Sequence, residues 1–109
     1  MIEVNNRSYR PRDRTIVAVC IDGCSQDYLD AAKKVMPNLR TIATRGASGL
    51  VDTVIPSFTN PNNVAIVTGA PPDVNGIPGN FYYDAETDEE VLMNDPRFLR
   101  APTILAAFH

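Results

Sequence analysis

The chain has 109 residues, with ten Lys and Arg against thirteen Asp and Glu, a formal net charge of −3 and an apolar content of 44%. These values are typical of a globular protein, and the length accommodates one compact domain at most. They exclude a membrane span, because no apolar run is long enough to cross a bilayer. The acidic pI near 4.9 also argues against nucleic acid as the main partner.

The first predicted elements are a polar lead-in and a buried strand. Residues 1–14 are polar and basic, and we expect them to precede a domain that occupies residues 15–109. Residues 15–21 form a continuous β-branched and apolar run, which is typical of a strand buried on both faces of a parallel sheet. The strand is predicted to end at Asp22, because Asp followed by Gly is a turn signal.

Two helices and a second strand are predicted next. Residues 25–36 have helical spacing, with Ser25 as the N-cap. Pro37 ends this helix and begins another, for which Gly46 is the stop. Residues 47–54 then predict a strand. This order of strand, helix, helix and strand is the beginning of a doubly wound α/β sheet with helices on both faces.

Residues 55–80 are rich in proline and asparagine and contain one further predicted helix. An apolar stretch over residues 62–68 is closed by Gly69, with Pro61 at the first helical position. Either Thr59 or Asn60 is the expected N-cap.

A hairpin and a last helix complete the pattern. Residues 81–84 and 91–93 predict two strands around the acidic tip at residues 85–90. A helix begins near residue 102 and is cut short at the chain end. Two central strands and a hairpin fall below the roughly five or six strands of a typical sheet. We therefore expect an incomplete domain, the N-terminal part of a larger enzyme.

The two cysteines indicate a reducing environment more than a metal site. Cys20 and Cys24 have the spacing C-x3-C, and a zinc knuckle would need a second pair that the sequence lacks. We expect both to be reduced and the protein to be cytoplasmic.

Three polar residues are candidates for chemistry. Asp22 follows the first predicted strand, at the sheet edge where ligands collect, and its carboxylate suits a divalent cation. Thr59 lies at a predicted helix start, where free amides and the helix dipole favour an anion. Asn80 could donate a hydrogen bond to a phosphoryl oxygen. Taken singly, each also has a purely structural explanation, as a turn residue or a helix cap.

Several segments together resemble the N-terminal region of the phosphonoacetate hydrolases, in the alkaline phosphatase superfamily. A strand followed by Asp-Gly and a helix start centred on threonine are shared with the nucleotide pyrophosphatases/phosphodiesterases. The segment SFTNPNN and a hairpin ending in LMND are more specific, and they resemble the phosphonoacetate hydrolases in particular. The resemblance extends over nearly the whole chain from Thr15. The matching segments are VAVCIDG (17–23), VIPSFTNPNN (54–63), IVTGAPP (66–72), GIPGNF (76–81), EVLMND (90–95) and LRAPTIL (99–105).

The resemblance implies an activity and a role for each candidate. Phosphonoacetate would be hydrolysed at its C–P bond to acetate and phosphate, through a phospho-threonine intermediate on Thr59. Asp22 would be a zinc ligand, the Thr59 oxygen would be held by the same zinc, and Asn80 would donate to the phosphoryl group. The family uses two zinc ions.

The resemblance also bears on partners and completeness. It implies a small phosphonate substrate, with neither nucleic acid nor a membrane as partner, and it allows a homo-oligomer. The remaining zinc ligands and the lysines that hold the substrate carboxylate lie downstream of the matched segments. We therefore predict that these 109 residues alone are inactive and bind zinc weakly.

Two other functions stay open from the sequence. One is a phosphodiesterase or nucleotide pyrophosphatase of the same superfamily, with the same nucleophile and another leaving group. The other is a non-catalytic α/β binding module of receiver type. The hydrolase hypothesis requires Asp22 and Thr59, distant in the chain, to converge on one cation.

Overall fold

The computed structural model describes residues 1–109. Contacts divide the chain into two compact units, residues 1–18 with 53–109 and residues 19–52. None of the helices has both the length and the apolar character needed to span a bilayer. The elements are β1 (Ile2–Val4), β2 (Arg7–Tyr9), α1 (Gln26–Ala32), α2 (Pro37–Arg45), α3 (Thr59–Thr68), α4 (Pro72–Asn75), β3 (Phe81–Asp84), β4 (Glu89–Leu92), a 3-10 turn (Pro96–Phe98) and α5 (Ile104–Phe108).

The first nine residues, within the predicted polar lead-in, form a hairpin. Strands β1 and β2 pair antiparallel, and Asn5 and Asn6 turn the chain with φ values of 50° and 61°. Asparagine tolerates these left-handed angles better than most residues, which favours a tight turn here. The side-chain Nδ2 of Asn5 donates to the carbonyls of Thr68 at 2.8 Å and Pro102 at 2.9 Å. The boundary proposed at residue 15 stays a prediction.

Helix α3 confirms the helix predicted after the proline-rich stretch, with a shifted start. It ends at Thr68, and Gly69 follows in the left-handed conformation with φ of 65°, a position that suits glycine. The N-cap is Phe58, not Thr59 or Asn60. The Phe58 carbonyl already accepts from the backbone N–H of Asn62 at 3.2 Å, so the helix begins two residues earlier than Pro61 indicated.

The core of this unit combines small apolar side chains with two buried polar ones. The buried apolar residues are Val4, Ala70, Ile77, Met93 and Ala101. Thr68 and Asn75 have no exposed surface, and their polar atoms are satisfied. Thr68 Oγ1 donates to the Val64 carbonyl at 2.7 Å, while Asn75 Nδ2 donates to the Ala70 carbonyl at 2.8 Å. Buried polar groups are tolerated when they are paired in this way.

Strands β3 and β4 form the predicted hairpin. Phe81 pairs with Leu92 and Asp84 with Glu89, so the second strand begins two residues before the predicted position. The hairpin packs on the 3-10 turn, where the rings of Tyr82 and Phe98 meet edge to face at 5.9 Å between centroids. Such an arrangement is favourable for two aromatic rings.

The hydroxyl of Tyr83 donates a hydrogen bond to the carboxylate of Asp88 at the tip of this hairpin. This bond favours the protonated phenol and raises the pKa of Tyr83 above its ordinary value of 10.0. The hairpin is therefore stabilised by the bond below about pH 10 and loses that contribution as pH rises through the folded-state pKa. In an NMR titration of the Tyr83 ring carbon, we expect Asp88→Asn to lower this pKa.

The matched control for this titration is Asp84→Asn. It removes the same charge from the same hairpin but leaves the Tyr83–Asp88 bond intact, because the Asp84 carboxylate accepts from the backbone N–H of Glu86. A pKa of Tyr83 that fell equally in both variants would show that charge alone, not the hydrogen bond, raises it.

The second unit, residues 19–52, contains the two predicted helices. Ser25 occupies the N-cap position of α1 without a side-chain cap bond, and the helix ends at Ala32 instead of reaching residue 36. Helix α2 begins at Pro37 and is followed by Gly46, as predicted. Proline suits a first helical position because the amide hydrogen that it lacks has no partner there.

The α/β class is confirmed, but the two predicted parallel strands are wrong for this structure. Residues 15–21 and 47–54 contain no strand. Ile16 is 72% exposed and Val51 is 90% exposed. Apolar β-branched residues favour an extended backbone, but a strand also needs a hydrogen-bonded neighbour. Neither segment has a ladder partner among these 109 residues, and the only sheets are the two antiparallel hairpins.

Candidate functional site

Thr59 is the first residue of α3 and is exposed. The residue before it, Phe58, is extended, with φ of −110° and ψ of 162°. The first turn of α3 is the positive end of the helix dipole, which favours an anion beside Thr59.

Asn80 reaches the same end of α3 from the loop before β3. Its Oδ1 accepts the backbone N–H of Asn60, the residue after Thr59, at 2.9 Å. A backbone N–H can only donate, so it fixes the Asn80 oxygen toward the helix. The amide nitrogen of Asn80 is then available to donate elsewhere. The structure therefore brings Asn80 to the end of α3 that begins with Thr59. Asn80 makes this long-range contact in addition to its place in the turn before β3.

Asn60 and Met93 complete this arrangement. Asn60 Nδ2 donates to the Met93 carbonyl at 3.1 Å, and the Met93 N–H donates to the Asn80 carbonyl at 2.8 Å. We call these three residues the Asn60–Asn80–Met93 ring. From the sequence, Asn60 is predicted only as a candidate helix cap, and Met93 only as the last residue of a strand. The only sequence signal for these contacts is the high asparagine content around Thr59, which does not indicate the residues that Asn60 would bind.

Asp22 lies in the other compact unit. It occupies a turn, is exposed, and precedes Gly23, whose φ is 68°. A turn at this position was predicted. The carboxylate of Asp22 and the hydroxyl of Thr59 both belong to exposed residues, so neither is sealed in an apolar core. Their convergence on one cation stays a prediction.

The chain carries only part of a possible metal ligand set. Asp22 and Thr59 offer oxygen donors that zinc accepts, but a catalytic zinc usually takes three protein ligands. Residues 1–109 contain no cluster of three or more His, Cys, Asp or Glu side chains that could hold a metal. Cys20 and Cys24 are not joined by a disulfide.

Two solved structures are similar to the chain over nearly its whole length. Both are phosphonoacetate hydrolase from Sinorhizobium meliloti 1021, one in complex with phosphonoacetate and the other with phosphonoformate. They are 55% and 56% identical to this chain, and each superposes with a TM-score of 0.90 over 98% of it. The chain covers 26% of each of those proteins.

Curated proteins with similar sequences are phosphohydrolases from three eukaryotes. A pyrophosphatase/phosphodiesterase of Schizosaccharomyces pombe is 35% identical over 82% of this chain. An ectonucleotide pyrophosphatase/phosphodiesterase of Caenorhabditis elegans is 34% identical over 71%, and a bis(5'-adenosyl)-triphosphatase of Xenopus laevis is 35% identical over 73%. The chain spans 18%, 10% and 18% of these relatives, respectively.

The family assignment follows from the extent of the match. Residues 16–107 match the family described as type I phosphodiesterase / nucleotide pyrophosphatase. This range contains Asp22, Thr59 and Asn80 and leaves out only the ends of the chain. The chain therefore belongs to the type I phosphodiesterase / nucleotide pyrophosphatase family, within the alkaline phosphatase superfamily.

Proposed function

We propose that this chain is part of a hydrolase that cleaves the C–P bond of phosphonoacetate to give acetate and phosphate. The observation that carries the proposal is the 55% identity and TM-score of 0.90 to a phosphonoacetate hydrolase over 98% of the chain. Identity to the curated phosphodiesterases is lower, at 34 to 35%. Acetate and phosphate as products follow from the chemistry of the substrate.

Thr59 is the proposed nucleophile. Its hydroxyl gives its proton to solvent water, and the oxygen forms a bond to phosphorus while the P–C bond breaks. The product of this step is phospho-threonine, which water then attacks at phosphorus to release phosphate and restore the hydroxyl. The position of Thr59 at the first turn of α3 supports this role, because the helix dipole stabilises the alkoxide and the incoming phosphonate.

The leaving group explains why such a bond can be hydrolysed. The electron pair of the broken P–C bond passes to the methylene carbon, where conjugation with the carboxylate spreads it as an enolate. Protonation of the carbon then gives acetate. A simple alkyl carbanion would be far too basic to leave. Substrates should therefore be phosphonates in which the carbon bound to phosphorus carries a group, such as a carboxylate, that stabilises the carbanion.

Asn80 is the proposed donor to the phosphoryl oxygens. The N–H of Asn60 holds its oxygen at 2.9 Å, so its amide nitrogen is the atom left to donate. A neutral donor held in this way stabilises negative charge that develops on phosphorus-bound oxygens during attack. Because the Asn80 amide is already oriented before the substrate binds, no free energy is spent on reorienting it during the reaction.

The proposed enzyme uses zinc, for which Asp22 and Thr59 would supply oxygen ligands. Zinc, when bound, supplies charge stabilisation and lowers the pKa of a coordinated hydroxyl. The rest of the ligand set, and the groups that hold the substrate carboxylate, are proposed to come from residues outside these 109. On this basis the chain alone stays predicted to be inactive, and a cytoplasmic location also stays a prediction.

A phosphodiesterase or nucleotide pyrophosphatase is the second candidate, which the family match over residues 16–107 favours. The test is to measure the activity of the complete protein on phosphonoacetate and on an aryl phosphodiester. We expect a higher kcat/KM for phosphonoacetate, and no phosphate release from methylphosphonate, whose carbon lacks the stabilising carboxylate. A higher kcat/KM for the diester would favour the second candidate.

A further inference from the structure

The Asn60–Asn80–Met93 ring connects three separate parts of one compact unit. Asn60 belongs to the first turn of α3, Asn80 to the loop before β3, and Met93 follows the end of β4. Its three hydrogen bonds measure 2.8 to 3.1 Å, and Met93 is buried. Twenty residues separate Asn60 from Asn80, and 33 separate Asn60 from Met93, so these contacts are tertiary.

We infer that Asn60 is a positioning residue that holds the Asn80 amide beside Thr59. The inference rests on the proposed function, in which Asn80 donates to the phosphoryl group. Asn60 contributes through two different atoms, its backbone N–H to Asn80 and its side-chain Nδ2 to Met93. Met93 in turn holds the backbone carbonyl of Asn80. One residue therefore fixes both the side chain of Asn80 and the hairpin edge that carries it.

The chemistry of each partner fixes the orientation of both amides. The Met93 carbonyl can only accept, so the nitrogen of the Asn60 side chain faces it. The Asn60 N–H can only donate, so the oxygen of Asn80 faces α3. If the Asn60 side chain is removed, Met93 loses its bond to α3, and only the backbone N–H of Asn60 still holds the Asn80 side chain. The Asn80 amide then samples more positions and meets a phosphoryl oxygen less often.

Asn5 offers a matched control at the opposite end of the same helix. Its side-chain nitrogen also donates to backbone carbonyls, those of Thr68 and Pro102, and it contacts neither Thr59 nor Asn80 through these bonds. Asn5→Gly removes two hydrogen bonds while accommodating the positive φ of 50° at that position. It therefore reports on general loss of stability without disturbing the nucleophile end.

The experiment measures the affinity of the complete protein for inorganic phosphate by calorimetry and, separately, its thermal midpoint. The variants are Asn60→Ala, Asn80→Ala, the double variant and Asn5→Gly. We expect Asn80→Ala to weaken phosphate binding roughly tenfold to a hundredfold, the value of a hydrogen bond to a charged group. Asn60→Ala should weaken it less, by about twofold to tenfold, because it removes a bond between neutral groups and keeps the backbone bond to Asn80. When Asn80 is already alanine, Asn60→Ala should change the phosphate affinity little further, because Asn60 acts through the Asn80 side chain. Asn5→Gly should lower the thermal midpoint alone.

Three results would overturn the inference. They are an equal effect of Asn60→Ala with and without Asn80, no effect at all, and an equal weakening by Asn5→Gly. A complete protein that binds no phosphate would overturn it as well. A protein that shows the expected coupling but does not hydrolyse phosphonoacetate would refute the proposed substrate and leave the role of Asn60 standing.

Discussion

Replacing Thr59 by valine in the complete protein should reduce the kcat for phosphonoacetate by at least about a thousandfold, the scale of losses on removing a nucleophile. Valine keeps the branched shape of threonine and the first turn of α3 but has no oxygen with which to form the phospho-threonine. Thr59→Ser should retain measurable activity, because the hydroxyl remains. The measurement is phosphate release, together with recovery of a phosphorylated Thr59 peptide after an acid quench.

Thr41→Val is a suitable control for this experiment. Thr41 is an exposed helical threonine in α2, and its hydroxyl donates to the Pro37 carbonyl of its own helix at 2.9 Å. This variant should keep the wild-type rate. Substantial turnover by Thr59→Val, or a phosphorylated peptide that lacks residue 59, would refute the nucleophile assignment.

The largest effect on stability is expected from Gly76→Ala. Gly76 has φ of 85°, and a Cβ there would lie 2.8 and 2.9 Å from Arg100 side-chain carbons and 2.9 Å from the Phe98 carbonyl oxygen. The arginine carbons can move, but the backbone oxygen cannot move cheaply. Left-handed strain and the clash together should lower the free energy of unfolding by roughly 2 to 4 kcal/mol. Urea denaturation of the complete protein measures this.

Two other glycines separate the contributions to that loss. Gly23→Ala adds strain alone, because φ is 68° but nothing lies within 4 Å of the added carbon. Gly49→Ala adds neither strain nor contact. We expect stability to fall in the order Gly49→Ala, Gly23→Ala, Gly76→Ala, with the last the least stable. An equal loss for Gly23→Ala and Gly76→Ala would mean that the clash with Phe98 is relieved at no cost.

Local signals in the sequence predicted much of the helical structure. Pro37 and Gly46 bound α2, and Gly69 follows α3, because each position depends on one residue whose backbone preference is strong. The hairpin of β3 and β4 was also predicted, from two short aromatic and apolar runs on either side of an acidic tip. The first hairpin was missed, although Asn5 and Asn6 between two short alternating runs are a turn signal that could have revealed it.

The predicted strands failed because strand formation depends on residues distant in the sequence. The apolar character of residues 15–21 indicates that they suit a sheet, but it cannot say whether a partner strand is present. In these 109 residues none pairs with them, and Ile16 and Val17 are exposed. The composition of a segment therefore predicts whether it is suited to a strand, but the strand forms only where another strand is present to pair with it.

The same distinction applies to the candidate site. Sequence reasoning selected Thr59 and Asn80 separately, and the structure brings Asn80 to the end of α3 that begins with Thr59. The link through Asn60 and Met93 could not be predicted, because nothing local to either residue indicates a contact across 33 positions. The meeting of Asp22 with Thr59 is a long-range relation of the same kind and stays a prediction.

The bond between Asn5 and the Pro102 carbonyl joins residues 97 positions apart, across most of the chain. During synthesis, the first hairpin leaves the ribosome early but cannot complete its contacts until Pro102 has emerged. Residues 19–52 form a contiguous unit and are free of this delay. The unit that carries Thr59 therefore acquires its native contacts later than residues 19–52, and a pause in translation before residue 102 would prolong its exposure to chaperones and proteases.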